Sequence, residues 1–350
     1  MKLLVRDINS EEALKLDIPL FVDLRAESEF TEATIPGAVN LPIFNDDERT
    51  QVGTTYHQDG PAKARWLALQ IVSPKLPELA KQIDYWSRQK AVVLFCWRGG
   101  MRSRAISMIC DLVGIPAYRL TGGYKAYRKM VRNYLWEQQP DREVIVLHGL
   151  TGVGKTEVIE ILANHGLAAI NLEALASNRG SVFGGIGLPP GPNQKMFESY
   201  LAHILWHQAR FPYIVVECES RRIGRNTLPT PFIEGMRTGS HILLYDSLEN
   251  RVQRLIGEYT YQGSPDLDSL SQAITSLKNR LGGEKTTELI NYLYQGDLVQ
   301  VTRELLVNYY DPLYRYPHGP SKEYDLCVST QDIMAAANRI EDYLNHRYNQ

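Results

Sequence analysis

The chain has 350 residues, of which 44% are hydrophobic and 22% charged, with a formal net charge of −2. That length accommodates two ordinary domains with separate cores. The composition excludes a disordered chain and a globally basic nucleic-acid binder. In chain order, "LFVDLR" (Leu20–Arg25) predicts a strand, and "PAKARWLALQIV" and "LPELAKQIDYWSRQ" predict helices. "AVVLFC" (Ala91–Cys96) is continuously apolar, the pattern of a buried parallel strand. "SRAISMICDLVG" reads as a helix ending at Gly114, "AYRL" as a short strand and "GYKAYRKMVRNYLWEQ" as a basic helix. Such alternation implies an α/β domain with a parallel sheet.

The polar, proline-containing "EQQPDRE" (Glu137–Glu143) marks a boundary, giving domains 1–137 and 138–350. A second α/β series follows, with strands expected at "VIVLH", "LAAINL", "YIVVECE" and "HILLYD". From Ser247 to Tyr310 the pattern is mostly helical, and "YDLCVST" predicts a last strand before a terminal helix. From Gly180 to Pro192, eight of thirteen residues are Gly or Pro, which in a compact domain usually marks a functional or mobile loop. There are no internal repeats.

The four cysteines, Cys96, Cys110, Cys218 and Cys327, are far apart and form no CxxC pair, which argues against zinc and against a disulfide framework. No stretch approaches the ~20 apolar residues that span a bilayer, and the start of the chain is no signal peptide. A cytoplasmic protein with reduced thiols and no membrane partner is expected. Cys96 differs from the other three. It opens "CWRGGMRS", between a buried strand and a helix N-terminus. Loop amides and the helix dipole favour negative charge there, which should lower the thiol pKa. Gly99 and Gly100 let N–H groups turn inward, and Arg98 and Arg102 add positive charge. Cys110, Cys218 and Cys327 read as core cysteines.

Three segments in order, "FVDLRAESEFTEATIPGAVNLP", "CWRGGMRS" and "LTGGYKAYR", resemble the rhodanese (sulfurtransferase) family from about Ser10 to Trp136. In that family the cysteine carries a persulfide, a role the resemblance gives to Cys96. Asp23 and Arg25 would begin its first strand-to-loop turn.

"GLTGVGKT" fits G-x-x-x-x-G-K-[ST], with a strand before it and a helix after it. The amides around Gly149, Gly152 and Gly154 would wrap a diphosphate, and Lys155 would reach its oxygens. Thr156 is the expected holder of a Mg²⁺ ion if one is used; no other metal ligand is assigned. The second nucleotide-binding strand ends in Glu217 and Glu219, where an Asp is usual. "RRIGR" then supplies Arg221, Arg222 and Arg225 for bidentate phosphate contacts. The loop establishes phosphate binding only. A nucleoside triphosphate is the default ligand, and any diphosphate ester satisfies the same amides.

The full order of "CWRGGMRSR", "GLTGVGKT", "LEALASNRGSVFGG" and "ECESRRIG" resembles the tRNA 2-selenouridine synthase family, from Asp7 to about Tyr343. The resemblance implies a rhodanese-like parallel-sheet domain followed by a P-loop NTPase-like α/β domain with a helical extension. It implies a transferase that geranylates 2-thiouridine at the tRNA wobble position with geranyl diphosphate. The S-geranyl group is then replaced by selenium from selenophosphate. Cys96 and Arg102 would be catalytic, and no tightly bound cofactor is expected. The partners implied are tRNA and the synthase that supplies selenophosphate. From Arg98 to Arg132 there are eight Lys/Arg and one acid, Asp111. This run, through Arg98, Arg104, Lys125, Arg128 and Lys129, would face the tRNA backbone. Tyr124, Tyr127 and Tyr134 within it would either stack on bases or form the buried side of a helix. Phe183, Ile186 and Leu188 of the glycine–proline loop would cover the isoprenoid chain. The alternatives are an ATP-dependent tRNA thiolase using a Cys96 persulfide, and a non-enzymatic persulfide carrier.

Overall fold

A computed structural model describes residues 4–138, 140–179, 183–260 and 266–348. Gln139 of the expected boundary and residues 180–182 of the glycine–proline loop lie outside the described residues. The chain forms two compact units. The first is Met1–Tyr134 with Glu198–His203, and the second is Leu135–Phe197 with Ile204–Gln350.

The first unit is built on five strands: β1 (Val5–Ile8), β2 (Pro19–Asp23), β3 (Val39–Asn40), β4 (Ala91–Phe95) and β5 (Ala117–Leu120). They pair in parallel in the order β1-β5-β4-β2-β3. β4 is in the middle, and Val92–Phe95 are fully buried, which is why that segment reads as an unbroken apolar run. Leu20, Val22, Val92 and Leu94 pack with Ile83 and Ile106 of the flanking helices. β1 and β3 escape the sequence reading. β3 is two residues long, and β1 has one buried residue, Ile8, with Val5 only partly buried against the core. "GTTYHQDGPAKAR" forms parts of two helices, Asp46–Gln58 and Pro61–Val72. Gly60 joins them at φ +89°, and His57 is exposed at the surface.

The second unit has a five-stranded parallel sheet of β6 (Glu143–His148), β7 (Ala169–Ile170), β8 (Tyr213–Glu217), β11 (Ser240–Tyr245) and β12 (Leu326–Ser329). The order is β12-β11-β6-β8-β7. Between β8 and β11 a small antiparallel pair, β9 (Arg222–Ile223) and β10 (Asn226–Thr227), stands apart from the sheet. One core lies on the sheet, where Ile145, Leu147, Val215 and Ile242 meet Val158 and Leu162 of the helix Lys155–Asn164. A second core belongs to helices between Leu248 and Tyr310, through Val252, Ile274, Leu289, Leu305 and Leu306. Two parallel-sheet α/β domains, the second with a helical extension, are the architecture expected from sequence.

Candidate functional site

Each unit carries a glycine-rich loop at the carboxyl end of its middle strand, the position where open α/β sheets bind ligands. In the first unit the loop follows β4. Cys96 is 3% exposed, and its Sγ lies 3.3 Å from Ser103 Oγ. The helix Met101–Val113 starts at once, with Gly100 as its N-cap, so its first amides face the loop. A second glycine turn closes the cradle. The Tyr124 and Lys125 amides donate to the Cys96 and Trp97 carbonyls, both at 2.9 Å. Gly123 has φ +59°, and a Cβ there would overlap the Cys96 carbonyl oxygen. Only glycine fits this close approach.

Below the loop, Arg25 is buried. It grips Asp23 at 2.6 Å, donates to the Ala33 carbonyl at 2.7 Å and lies 4.2 Å from the Tyr124 ring centre. Arg102, the second residue of the helix, donates to Glu29 at 2.7 Å. Burial raises the Glu29 pKa, but the hydrogen bond and charge of Arg102, with Arg49 beside it, outweigh that and hold it below its ordinary value. Of the eight cations, Arg98, Arg104, Lys125, Lys129 and Arg132 are exposed. Arg119 is clamped by Asp7, at 2.7 and 2.5 Å. Arg128 is turned inward onto Glu198 and Ser199, so of the proposed RNA-facing side chains it alone is committed to an internal acid. Tyr124 and Tyr127 are both 1% exposed and form the buried side of their helix, which removes them as base-stacking surfaces.

In the second unit the phosphate loop follows β6. Gly149 has φ +145°, and a Cβ there would overlap the Leu244 carbonyl oxygen. Gly152 and Gly154 also have positive φ. Lys155 Nζ folds back to the Gly149 carbonyl at 2.9 Å. Thr156 Oγ1 is 3.5 Å from Glu173 Oε2, so these two oxygens are the donors that would hold a Mg²⁺ ion, which neutralises phosphate charge when bound. Among the described residues, no group of three or more His, Cys, Asp or Glu is arranged to hold a metal. The Glu173 amide donates to Glu217 Oε1 at 2.7 Å. Burial pushes Glu217 up to about 7 and also raises Glu219, where the Glu173 charge adds to it. At the strand end, His148 Nε2 and His241 Nδ1 are 2.8 Å apart, and burial with the His241 charge pushes His148 down to about 4.

The loop opens into a cavity of about 780 Å³. One end is polar, with Lys155, Thr156, Glu173, Glu219 and Arg254. The other is apolar, walled by Phe183, Leu270, Ile274, Leu293, Leu305 and Leu306. Phe183 is buried against the helical core and Leu188 lines the cavity, so the described part of the glycine–proline loop contributes to this wall. Arg221 and Arg222 do not line it. After Glu217 the chain turns into the β9–β10 pair, where both are exposed, with contacts to Thr230 and to the Gly224 carbonyl. Arg179 and Arg254 line it instead. Arg254 donates to the Gly152 carbonyl at 2.6 Å, and Arg251, buried beside it, donates to the Thr151 carbonyl at 2.8 Å. These two arginines were missed. Their spacing of three on the helix after β11, in "ENRVQRL", is the signal that puts both on one helical face.

The family model described as tRNA 2-selenouridine synthase AAA domain matches residues 142–347, and the Rhodanese-like domain model matches residues 4–130. A tRNA 2-selenouridine synthase from Pseudomonas syringae pv. syringae is 34% identical over 330 residues, covering 86% of this chain and 88% of that protein. One from Shewanella denitrificans is 32% identical over 326 residues, covering 84% and 87%. One from Pseudomonas savastanoi pv. phaseolicola is 32% identical over 363 residues, covering 95% of each. Among the described residues, no helix is long and apolar enough to cross a membrane.

Proposed function

The chain belongs to the tRNA 2-selenouridine synthase family and is an enzyme of tRNA modification; from that premise we propose that it works in two steps on a thiolated wobble uridine. In the first, geranyl diphosphate is the alkyl donor. Its C1–O bond breaks with the electron pair leaving on pyrophosphate. The thiocarbonyl sulfur of 2-thiouridine bonds to C1, and the N3–H proton goes to water. In the second, the selenium of selenophosphate adds at C2, and the S-geranyl group leaves as the protonated thiol. Water then takes the phosphoryl group as phosphate. Alkylation is what turns the sulfur into a group able to depart.

One observation carries this reading: the phosphate loop and an apolar pocket share a single cavity of about 780 Å³. A prenyl diphosphate has the same division, an anionic head and a branched hydrocarbon tail. The loop amides and Lys155 would stabilise charge developing on the departing pyrophosphate, and fixed donors cost no reorganisation at that moment. The wall of Phe183, Leu270, Ile274, Leu293, Leu305 and Leu306 suits a hydrocarbon tail, which favours prenyl diphosphate over a nucleotide-dependent thiolase. Cys96, in a separate small cradle of amides, would hold the selenium species during the second step. The exposed Arg98, Arg104, Lys125 and Lys129 would meet tRNA phosphates.

The direct test is mass spectrometry of thiolated tRNA incubated with the purified chain and geranyl diphosphate, then with selenophosphate. A geranyl adduct followed by selenium-for-sulfur exchange is expected. An unmodified base under both donors, or modification only with ATP, would overturn the reading.

A further inference from the structure

Where the phosphate end of the cavity meets its apolar end, three tyrosines stand in a column. Tyr310 and Tyr314 have ring centres 6.4 Å apart and planes within 5°; Tyr314 and Tyr316 are 6.2 Å apart and within 9°. All three line the cavity. The column begins beside the phosphate loop, where Tyr316 packs edge-on against His148 at 5.6 Å. It ends in the helical core, where Tyr310 is buried with Leu305 and Leu306. Centre separations above 6 Å between near-parallel planes mean that the rings are offset and not face to face, so Tyr314, in the middle and 41% exposed, keeps part of its ring face open to a ligand.

The backbone that makes the column is irregular on both sides. Leu306–Tyr310 forms a π-helical turn, a feature that concentrates at functional sites. Arg315, between the second and third rings, has φ +56°, a left-handed conformation that is costly for a residue with a Cβ. That turn lets Tyr314 and Tyr316, two residues apart, stack in parallel. The segment is also tied to the phosphate loop. Arg251 holds both oxygens of Asp311, at 3.0 and 2.6 Å, while donating to the Thr151 carbonyl.

We infer that Tyr314 is a catalytic residue of the alkyl transfer, its ring face stabilising the positive charge that develops on the allylic carbon as pyrophosphate leaves. This rests on the geranyl-transfer reading above. The reacting carbon of a prenyl diphosphate joins the anionic head to the hydrocarbon tail, and it therefore sits at the boundary that the column lines. An aromatic face attracts a cation by its quadrupole, and more strongly away from water. The neighbouring nucleophiles are quiet. Burial pushes the Tyr314 phenol up to about 12 and raises Tyr316, so both stay protonated at neutral pH. The Cys218 thiol, which lines the same cavity, is raised by burial and accepts a hydrogen bond from Tyr316 at 3.2 Å. A cation formed here meets electron-rich faces and no ionised phenol or thiolate; the carboxyl groups of Glu173 and Glu219, which line the same cavity and act on Tyr314, lie nearby.

The test replaces Tyr314 with phenylalanine and with phenylalanines carrying one, two and three ring fluorines, and with leucine. Geranyl transfer to thiolated tRNA is measured together with the Kd of a non-ionising thiolo analogue of geranyl diphosphate. Tyr314→Phe should stay within about threefold of wild type in kcat, and the fluorinated series should fall stepwise. Tyr314→Leu should lose about 30-fold, the size of a desolvated cation–π contact, with analogue Kd changed less than about twofold. A rate that is flat across the fluorinated series, or a loss matched by weaker analogue binding, overturns the inference. Because the fluorinated series preserves the ring's shape, a misfolded leucine variant leaves the test intact. If wild type neither binds the analogue nor geranylates tRNA, the geranyl-transfer reading itself fails, and the two failures are thus distinct.

Discussion

In both units the reactive loop leaves the middle strand of a five-stranded parallel sheet, β4 in the first and β6 in the second. In both, a glycine with positive φ lets backbone carbonyl and loop approach more closely than a side chain allows. What adjoins the loops differs. The first loop is shut by the Gly122–Gly123 turn and leaves Cys96 3% exposed. The second faces a helical extension that leaves a cavity of about 780 Å³. The same scaffold thus closes tightly over one thiol in one case and leaves an open chamber with polar and apolar walls in the other. Ligand size is set by the neighbouring segment, while the strand end and the helix dipole supply the common attraction for anions.

Separating the two steps tests that division most strongly. Cys96→Ala should abolish selenium incorporation while S-geranyl tRNA still accumulates, as seen by mass spectrometry; selenation at the wild-type rate would remove Cys96 from the reaction. Lys155→Ala should cost about 10²–10³-fold in geranyl transfer, with selenation of pre-geranylated tRNA left intact. Loss of both steps in either variant, with folding verified, would break the comparison.

Buried arginines give the next effect. Arg25→Met strands Asp23 in the first unit, and Arg251→Met strands Asp311 in the second. Each should destabilise by roughly 3–5 kcal/mol, read as a lowered calorimetric midpoint. Folded Arg251→Met should also lose geranyl transfer, because the Thr151 carbonyl loses its anchor. Folded Arg25→Met should not.

A smaller, pH-dependent difference follows from an acid of the second unit. Burial raises Glu217 from 4.5 to about 7. Such a group favours the fold when protonated, so its contribution is full below pH 4.5 and is lost as pH rises to about 7. His148, pushed from 6.5 down to about 4, acts in reverse: its contribution is present above pH 6.5 and lost as pH falls towards 4. Glu217→Gln should remove about 3 kcal/mol of the loss between pH 4.5 and 7. Denaturation midpoints at pH 5 and pH 8 check this, and an unchanged difference between them would refute it. Smallest of all is Arg222→Ala, on the exposed β9–β10 turn, which should alter the geranyl diphosphate KM less than about twofold, whereas Arg254→Ala should raise it about tenfold.

The two loops were legible in the sequence because each is contiguous: Cys96 to Ser103 and Gly149 to Thr156 hold glycine, charge and reactive group within one turn. Strands β4, β6, β8 and β11 were legible as apolar runs. The cavity was not, since its wall is assembled from helices spread over Leu248–Tyr310 and from Phe183, and helical periodicity does not say which face meets which. The arginines show the same limit. Arg221 and Arg222 follow a strand end, as phosphate ligands often do, but a two-stranded turn carries them outward. Arg254 reaches the loop from a helix about a hundred residues further along the chain. Tyr124 and Tyr127 illustrate a choice that spacing left open: one helical face holds both the aromatic and the basic pattern, and packing against Arg25 settled which side was buried. The tyrosine column depends on a left-handed arginine, and nothing in "LYRYP" announces that conformation.

The Arg251 fork carries a consequence for motion. It spans the Thr151 carbonyl and both Asp311 oxygens with one rigid plane of five donors. Any fluctuation that lifts the aromatic segment therefore drags the anion-gripping turn with it. Amide protons on the two sides should exchange through one shared opening event, at a single rate, so the chamber loosens its hold on head and tail together.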